Sequence, residues 1–546
     1  MIIISENSKK LADEVESALD SGDTSLACSL LEDSQNYAAV KTGANELVPV
    51  ISKYICAKYE AESTDIFNIC VKLLEKVVET SLVDDILHQL VGLIELSDST
   101  NFFILLNCIY KVLRRAPREN TIYLGRCVNS IQIRLNKCSV PDYGVTSVRS
   151  DNDVFHIEIL YQDILRFYNL IIPFYSEQFK SNSESRIILL KYLIQLLAKP
   201  IGYMDLGLHT EKTRLRRMAE DIVRKILSIC EDPFKYLGMD DEVPLKPTKF
   251  AYGMFLHFLL DENVDYEVVP RIYSSTYIFR SSLIFISKLL DSYSNYVILK
   301  GLCTLEMLLK RTPKLSHFIL DLEGNKSIWE ALLKVIIYNQ HQEMRQRALD
   351  IFKLYLYKFE PKAQYLLLTN WIFEIDHSNV AGYLITQYKE ILVELQKEHH
   401  SDLCYFEGEK MYTFIKRCCG TIDIDSILQY DKLISLLNLM RFTILQVEDT
   451  EKFKNTANIW KSEFLDRLQF SLEKLSKVIN QKIFSVENDD TEANFEFDLN
   501  FEDAEMLNAL SSKAEKLESL YASRTKIEIT ESILKRIMEL LAEKNC

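Results

Sequence analysis

One cluster in the sequence contains side chains of the types that bind metal ions. His399 and His400 are followed by Cys404, and Cys418 and Cys419 come later in the chain. This spacing matches no structural zinc pattern, in which paired cysteines and histidines recur at short fixed intervals around a tetrahedral ion. The two histidines also follow an apolar-periodic segment, where an imidazolium complements the negative end of a helix. We therefore expect a helix C-terminus here, with no metal ion and no other cofactor.

The nearest approach to a phosphate-binding loop is Gly324-Asn325-Lys326-Ser327. It lacks the first glycine of the P-loop motif and has an asparagine between the glycine and the lysine. Ser327 and Glu330 have capping-box spacing, so we predict a loop that enters a helix at Ser327. The sequence also contains no GxSxG, HExxH or DxDxDG motif. We therefore expect that the protein is not an enzyme.

The densest basic stretch coincides with a segment that has a helical apolar face. Its basic residues are Arg214, Arg216, Arg217, Arg224 and Lys225, and its apolar residues are Leu215, Met218, Ile222 and Ile226. A helical period places most of the basic side chains away from the apolar face. We interpret the stretch as a solvated helix face, with a site for an acidic partner as the alternative.

An acidic segment lies near the C-terminus. From Glu487 to Glu505 the chain contains nine Asp and Glu residues and no Lys or Arg, and Phe495, Phe497 and Phe501 alternate there with acidic or polar residues. Two interpretations remain open. The segment is either a linker before the last helices or an element that contacts a basic, partly apolar partner surface through these phenylalanines.

Composition favours a large helical protein. Among 546 residues there are only 14 Gly and 11 Pro, while 48% are hydrophobic and 26% charged. Few turns are therefore specified, and the chain can bury a sizeable core. The net charge of −15 argues against a protein that its overall field draws to nucleic acid or to anionic membranes.

The compartment is inferred from apolar runs and cysteines. The N-terminal sequence has no basic region before its short apolar run, so we expect no signal peptide. No apolar stretch reaches the roughly 18 residues that a membrane helix needs. The twelve cysteines are scattered without a CxxC pair, which indicates reduced thiols in a cytoplasmic or nuclear protein.

Helical periodicity is clearest between Val297 and Phe373, where four apolar-periodic segments follow one another. In one of them the apolar residues recur at i, i+4, i+7 and i+8 and continue on the same face; they are Met344, Ala348, Ile351, Phe352, Tyr355, Leu356 and Phe359. Pairs of such helices leave apolar surface that the next pair can bury. We predict an all-α, HEAT/armadillo-like helical-repeat solenoid.

The same pattern predicts helix pairs over most of the chain. The pairs are 65–80 with 82–96, 100–114 with 121–135, 155–177 with 183–199, 214–230 with 248–260, 270–291 with 296–310, 327–340 with 342–359, 361–375 with 378–396, and 409–419 with 426–446. Helices at 456–484, 503–522 and 528–543 follow. Three prolines between 231 and 250 favour a boundary there, which gives an N-terminal region 1–240 and a C-terminal region 241–546.

Several strings in this pattern resemble the glomulin family. They include VILKGLCTLEMLL at 297–309, RQRALDIFKLYLYKF at 345–359, HSNVAGYLI at 377–385 and LLNLMRFTI at 436–444. The resemblance implies a HEAT-like, non-catalytic protein whose C-terminal half binds the RING subunit of cullin–RING ubiquitin ligases and masks its conjugating-enzyme site. It also implies an immunophilin as a further partner. A general scaffold or transport adaptor that binds extended peptides remains the alternative.

The family-like strings also suggest partner-binding residues. His377, Ser378, Asn438 and Arg441 are the polar positions within them. As an alternative, these side chains cap helices or join repeats. The resemblance is weakest at the acidic segment, so a RING-binding role for Phe495, Phe497 and Phe501 rests on its charge pattern alone.

Overall fold

The computed structural model describes residues 2–97, 101–117, 121–140, 151–176, 184–207, 212–230, 232–237, 246–261, 273–320, 323–447, 450–488 and 512–544. In these ranges the regular secondary structure is helical, and the only β-type pairing is an isolated bridge between Leu315 and Phe359. The predicted all-α helical-repeat fold of the HEAT/armadillo type is confirmed.

The α-helices are α1 (Ile2–Asp20), α2 (Thr24–Glu32), α3 (Tyr37–Thr42), α4 (Ala44–Ser52), α5 (Ala57–Glu62), α6 (Thr64–Thr80), α7 (Val83–Leu96), α8 (Phe102–Arg115), α9 (Thr121–Asn136), α10 (Asp151–Ser176), α11 (Glu184–Gln195), α12 (Arg214–Ile229), α13 (Lys249–Leu260), α14 (Ser275–Leu290), α15 (Asn295–Arg311), α16 (Glu323–Tyr338), α17 (Gln342–Tyr357), α18 (Pro361–Glu374), α19 (Ser378–Glu398), α20 (Gly408–Gly420), α21 (Tyr430–Gln446), α22 (Thr450–Trp460), α23 (Asp466–Glu487) and α24 (Lys513–Glu543). A π-helical turn, Lys461–Leu465, joins α22 to α23. Each predicted helix between 65 and 446 corresponds to one of these.

Apolar periodicity explains which face of each helix is buried. In α17, Ala348, Ile351, Phe352, Tyr355 and Leu356 are all at most 3% exposed. They lie on one side because residues three and four apart share a helix face. The core face predicted for this helix is therefore confirmed.

Side chains fix several helix starts. Thr213, Thr248 and Ser274 each accept a hydrogen bond from the backbone N–H three residues on, at 3.2–3.3 Å. Pro361 is the first residue of α18, a position that needs no N–H donor. The capping box predicted at Ser327 is wrong, since α16 begins at Glu323 and already includes that serine.

Packing divides the chain into two units. Unit 1 comprises Met1–Pro313 and Leu322–Phe352, and unit 2 comprises Lys314–Asp321 and Lys353–Cys546. The predicted boundary at 240/241 falls inside unit 1, where residues on both sides share one hydrophobic core. As a division between binding regions, 1–240 and 241–546 stays a prediction.

Unit 1 is built from helix pairs that stack on one another. In its later part α13 packs on α14 and α15, and α14 packs on α16. Hydrogen bonds join equivalent positions of successive repeats. The Asn339 amide donates to Asn295 Oδ1 at 2.8 Å, 44 residues away, and Arg347 donates to Cys303 Sγ, also 44 residues away. This spacing matches the HEAT and armadillo period of about 40–47 residues.

Unit 2 contains the last repeats and a long closing helix. Within it α18 packs on α19, α19 packs on α21, and α24 lies against both α21 and α23. Gly382 sets the approach of α19 to α21, because a Cβ at this position would lie 2.7 Å from the Asp431 carbonyl oxygen. The glycine in the family-like string at 377–385 is therefore required by packing.

The C-terminal helices differ from the prediction. The segment predicted as one helix at 456–484 contains the π-helical turn. The two helices predicted at 503–522 and 528–543 are one continuous helix, α24, within the described residues; 503–511 lie outside these. Ser523, Ile527 and Thr530 are buried in α24, so packing continues through the predicted break. A capping box between Ser512 and Glu515 opens this helix.

The basic stretch in α12 is only partly solvated. The Arg214 side chain is 52% exposed, as predicted for most of these residues, but Arg216 is 3% exposed. Arg216 faces the core because two buried carboxylates, Glu220 and Asp261, receive its guanidinium. In the described part of the chain no helix is both long and apolar enough to cross a membrane.

Candidate partner-binding site

Two of the predicted binding residues lie where α19 meets α21. His377 is the N-cap of α19, and its Nδ1 accepts a hydrogen bond from the Val380 N–H at 3.4 Å. Ser378 Oγ accepts a hydrogen bond from the Lys432 N–H at 3.2 Å. Both side chains are partly buried. His377 thus caps its own helix and Ser378 joins α19 to α21, which are the two roles that the sequence left open as alternatives.

The other predicted residues are placed differently. Asn438 and Arg441 lie on α21, one turn apart, and Arg441 is exposed while Asn438 is partly buried. Phe495, Phe497 and Phe501 lie outside the described residues. The structure therefore brings His377 and Ser378 to one joint and presents Arg441 to solvent, and a partner-binding role for the set stays a prediction.

Unit 2 also contains a groove that could bind a partner. It lies between the end of α20, the loop after it, and the π-helical turn, and has a volume of about 410 Å³. We call it the π-turn groove; its lining residues are Lys416, Cys419, Gly420, Ile422, Ile424, Ile459, Trp460, Glu463, Phe464 and Arg467. π-helical turns within α-helices frequently occur at functional sites.

Aromatic packing makes the wall of the π-turn groove rigid. Trp460 is 2% exposed, and its ring lies 5.4 Å from that of Phe453 and 6.1 Å from that of Tyr412 in edge-on geometry. The Ser471 hydroxyl donates to the Ile424 carbonyl at 3.1 Å and ties the loop to α23. Ile459, in contrast, is 38% exposed at the rim. The groove thus combines a fixed aromatic wall with an accessible apolar edge.

The charges of the π-turn groove are mostly positive. Lys416 and Arg467 contribute two cations to its lining, and Glu463 contributes one carboxylate, 3.7 Å from Lys416 Nζ. On the same helix as Lys416, the Arg417 guanidinium lies 4.0 Å from the ring centre of Phe373. This surface therefore differs in sign from the chain as a whole, and it suits a partly apolar partner that carries acidic groups at its edge.

The histidine and cysteine cluster shows no metal-site geometry. Helix α19 ends at Glu398, and His399 is its C-cap with a φ of 49°, which confirms the predicted helix C-terminus. His400 Nδ1 accepts a hydrogen bond from the Asp402 N–H at 3.1 Å. Burial raises the pKa of the Cys418 thiol to about 12. Among the residues that the structure describes, no group of three or more His, Cys, Asp or Glu side chains is arranged to hold a metal ion.

Unit 1 contains a buried polar cluster. The Lys300 ammonium donates to the carbonyls of Gly202 and Met204, at 2.9 and 2.7 Å. The Thr304 hydroxyl donates to the Lys300 carbonyl at 2.6 Å and lies 3.0 Å from His257 Nδ1. Because the hydroxyl proton is used, His257 donates through Nδ1, which fixes its neutral tautomer.

Burial dominates the protonation of this cluster. Burial, opposed by the Asp205 carboxylate and assisted by the Arg216 guanidinium, lowers the pKa of Lys300 to about 7. It also lowers the pKa of His257 to about 3, with the charges of Lys300 and Arg216 acting in the same direction. Lys300, His257 and Arg216 are all at most 3% exposed. Their hydrogen bonds join α12, α13 and α15, so we interpret the cluster as a joint between repeats.

Comparisons with known proteins show which proteins this chain is similar to. The family described as "Uncharacterised protein family, YAP/Alf4/glomulin" matches residues 281–520. Human glomulin is 20% identical over 480 residues, which cover 81% of this chain and 77% of glomulin. Mouse glomulin is 18% identical over 469 residues, 79% of this chain and 75% of its own length. These similarities support a divergent member of the glomulin family.

A solved circular tandem repeat protein also aligns, with 12% identity over the whole of this chain and 98% of its own, but its TM-score is 0.22 and it carries no argument about this protein. The region matched by the YAP/Alf4/glomulin family includes both the α19–α21 joint and the π-turn groove. The family match and the groove therefore concern the same part of the chain.

Sequence reasoning did not find the π-turn groove. Its residues come from two distant segments, 416–424 and 459–467, and the predicted helix at 456–484 included no π-helical turn. The spacing of its apolar residues carried no signal, since Trp460, Phe464 and Leu465 have the same i, i+4 and i+5 spacing as the buried Leu73, Val77 and Val78 of the uninterrupted helix α6.

Proposed function

We propose that this protein is a non-catalytic inhibitor that binds the RING subunit of cullin–RING ubiquitin ligases and covers its conjugating-enzyme site. The proposal rests on the similarity to the glomulin family. The observation that carries it within the structure is the π-turn groove, a rigid apolar groove with a charged rim inside the matched region, 281–520. Proteins that mask a partner need such a surface and do not need catalytic groups.

The π-turn groove would act as the anchor of a larger interface. A stable interface buries about 1,600 Å² in total, so a groove of about 410 Å³ accounts for one apolar contact within it. An apolar side chain of the RING face would enter between Ile459 and Phe464. Lys416 and Arg467 would then contact polar groups at the edge.

Further partners and the compartment follow from the same proposal. The cullin that carries the RING subunit would be bound with it, and an immunophilin is the second partner that the family suggests. Both place the protein in the cytoplasm, with the nucleus as the alternative. The acidic segment 487–505 would increase the association rate with a basic partner and make that rate sensitive to salt.

A pair of isoleucine variants tests the anchor. Ile459→Glu places a carboxylate at the apolar rim of the π-turn groove, where desolvation disfavours binding. Ile122→Glu is the matched control, since Ile122 lies in α9 of unit 1 and is 62% exposed. We expect Ile459→Glu to weaken binding to a purified cullin–RING subcomplex by about tenfold or more, with Ile122→Glu unchanged, as measured by titration calorimetry.

Equal affinities for the two variants would exclude the π-turn groove as the anchor. Recovery from cell extract of many unrelated proteins and no cullin would instead favour the general scaffold.

A further inference from the structure

A second groove lies in unit 1, whereas the proposed RING anchor belongs to unit 2. It is formed between the turn that joins α14 to α15 and the turn that joins α16 to α17, with a volume of about 690 Å³. Its floor consists of Leu290, Ile298 and Val335, which are 1–5% exposed. We call it the tyrosine groove. The volume lies within the range of about 300–1,000 Å³ that is usual for ligand sites.

Two highly exposed tyrosines line the groove. The Tyr293 side chain is 105% exposed and that of Tyr338 is 76% exposed, and both belong to the groove lining. Tyr293 lies in the turn between α14 and α15, and Tyr338 is the last residue of α16, 45 residues further along the chain. Large aromatic rings that extend into solvent beside an apolar floor are typical of binding surfaces, because each ring gives much contact area at a small entropy cost.

The polar groups of the tyrosine groove have little net charge. Lys334 Nζ and the Asp291 carboxylate form an ion pair at 2.6 Å and neutralise each other. Asn295 and Asn339 are hydrogen-bonded to each other at 2.8 Å, and Gln340 adds another amide. A charged ligand would therefore find no opposite net charge here, whereas a neutral ligand with apolar faces and carbonyl oxygens would be complementary.

We propose that the tyrosine groove binds an extended, uncharged, proline-rich segment of a partner protein. A polyproline II segment presents flat apolar rings to aromatic side chains and leaves its backbone carbonyls free to accept hydrogen bonds from hydroxyl and amide donors. An amphipathic helix fits less well, because it is about 10–12 Å wide and its carbonyls are already bonded internally. This inference goes beyond RING masking, since it concerns a different unit and a different ligand.

The proposal is tested with a fluorescein-labelled decaproline peptide and a glycine-serine peptide of equal length, by fluorescence polarisation on the full chain. We expect binding of decaproline only. Tyr293→Ala and Tyr338→Ala should each weaken it by about tenfold or more. Tyr37→Ala is the matched control, because Tyr37 is 58% exposed elsewhere in unit 1, and it should leave the affinity unchanged. Tyr338→Phe, which keeps the ring and loses the hydroxyl, should have a smaller effect than Tyr338→Ala.

Three results would overturn the proposal. The first is no binding of decaproline, or equal binding of the glycine-serine peptide. The second is equal affinity of the Tyr293→Ala and Tyr37→Ala variants. The third is a concentration-dependent dimer of the wild type in sedimentation that Tyr293→Ala abolishes, since a second copy would then occupy the groove. Both tyrosine variants should still bind a cullin–RING subcomplex, so this test and that of the proposed function fail independently.

Discussion

The buried polar cluster of unit 1 and the π-turn groove of unit 2 use charged side chains in opposite ways. Lys300 and Arg216 are enclosed, and each has hydrogen-bond acceptors within the protein. Lys416 and Glu463 lie at the surface, where their side chains are 59% and 61% exposed. Strongly shifted pKa values therefore mark a joint between repeats, and the proposed partner surface is marked by shape and apolar area.

The largest expected effect is the loss of stability when a buried charged side chain is removed, compared with the removal of an exposed one. Arg216→Ala leaves Glu220 and Asp261 buried without their cation, so we expect a loss of about 3–5 kcal/mol in the free energy of unfolding. Arg214→Ala removes a pair with Glu158 at 3.4 Å in which the arginine is 52% exposed, and should change stability by less than about 1 kcal/mol. Urea unfolding followed by circular dichroism compares the two. Similar losses in both variants would contradict the contrast between buried and exposed charges.

A second prediction uses pH. The pKa of Lys300 is about 7 in the folded protein and has an ordinary value of 10.5, so between these values the unfolded chain binds more protons at this site. Its contribution to stability is therefore fully present above pH 10.5 and is lost as pH falls towards 7, at up to about 1.4 kcal/mol per pH unit. Lys300→Met should lack this dependence.

The measurement is the difference in unfolding free energy between the wild type and Lys300→Met at a series of pH values from 7 to 10. A difference that does not vary with pH would mean that the buried lysine is not linked to folding. His257 acts in a separate window, because its pKa falls from 6.5 to about 3 and its contribution is lost only as pH drops below 6.5.

The smallest predicted effect concerns the α19–α21 joint. Gly382→Ala places a Cβ against the Asp431 carbonyl and should cost about 1–3 kcal/mol through the shift of α21. Gly92→Ala is the control, because it lies within α7 and a Cβ there meets no atom within 4 Å; it should stabilise the protein by up to about 1 kcal/mol. Thermal unfolding measures the stability of both variants. If Gly382→Ala is as stable as the wild type, α19 and α21 can move apart without cost, which would contradict this prediction.

Local periodicity was sufficient to predict most of the fold. The face of α17 and the start of α18 at Pro361 follow from neighbouring residues alone. What could not be predicted depends on contacts between distant segments. Arg216 is buried because Asp261 lies 45 residues away in sequence but beside it in the fold, and α24 is continuous because it packs on α21 and α23.

The candidate site was less predictable than the fold. His377 and Ser378 lie within the region that the family model matches, but their hydrogen bonds are internal. The π-turn groove could not be predicted because its wall depends on one extra residue in a helical turn and on a loop from another repeat. Single residues in a family-like string therefore indicate the region of family similarity better than they indicate the contacts that their side chains make.

The most direct test of the central proposal is ubiquitin transfer by a neddylated cullin–RING core with a charged conjugating enzyme, measured with increasing amounts of this protein. We predict that transfer falls with dose towards zero at saturation and that Ile459→Glu shifts the inhibition curve to higher concentration while Ile122→Glu does not. Undiminished transfer at saturating wild-type protein would contradict the account.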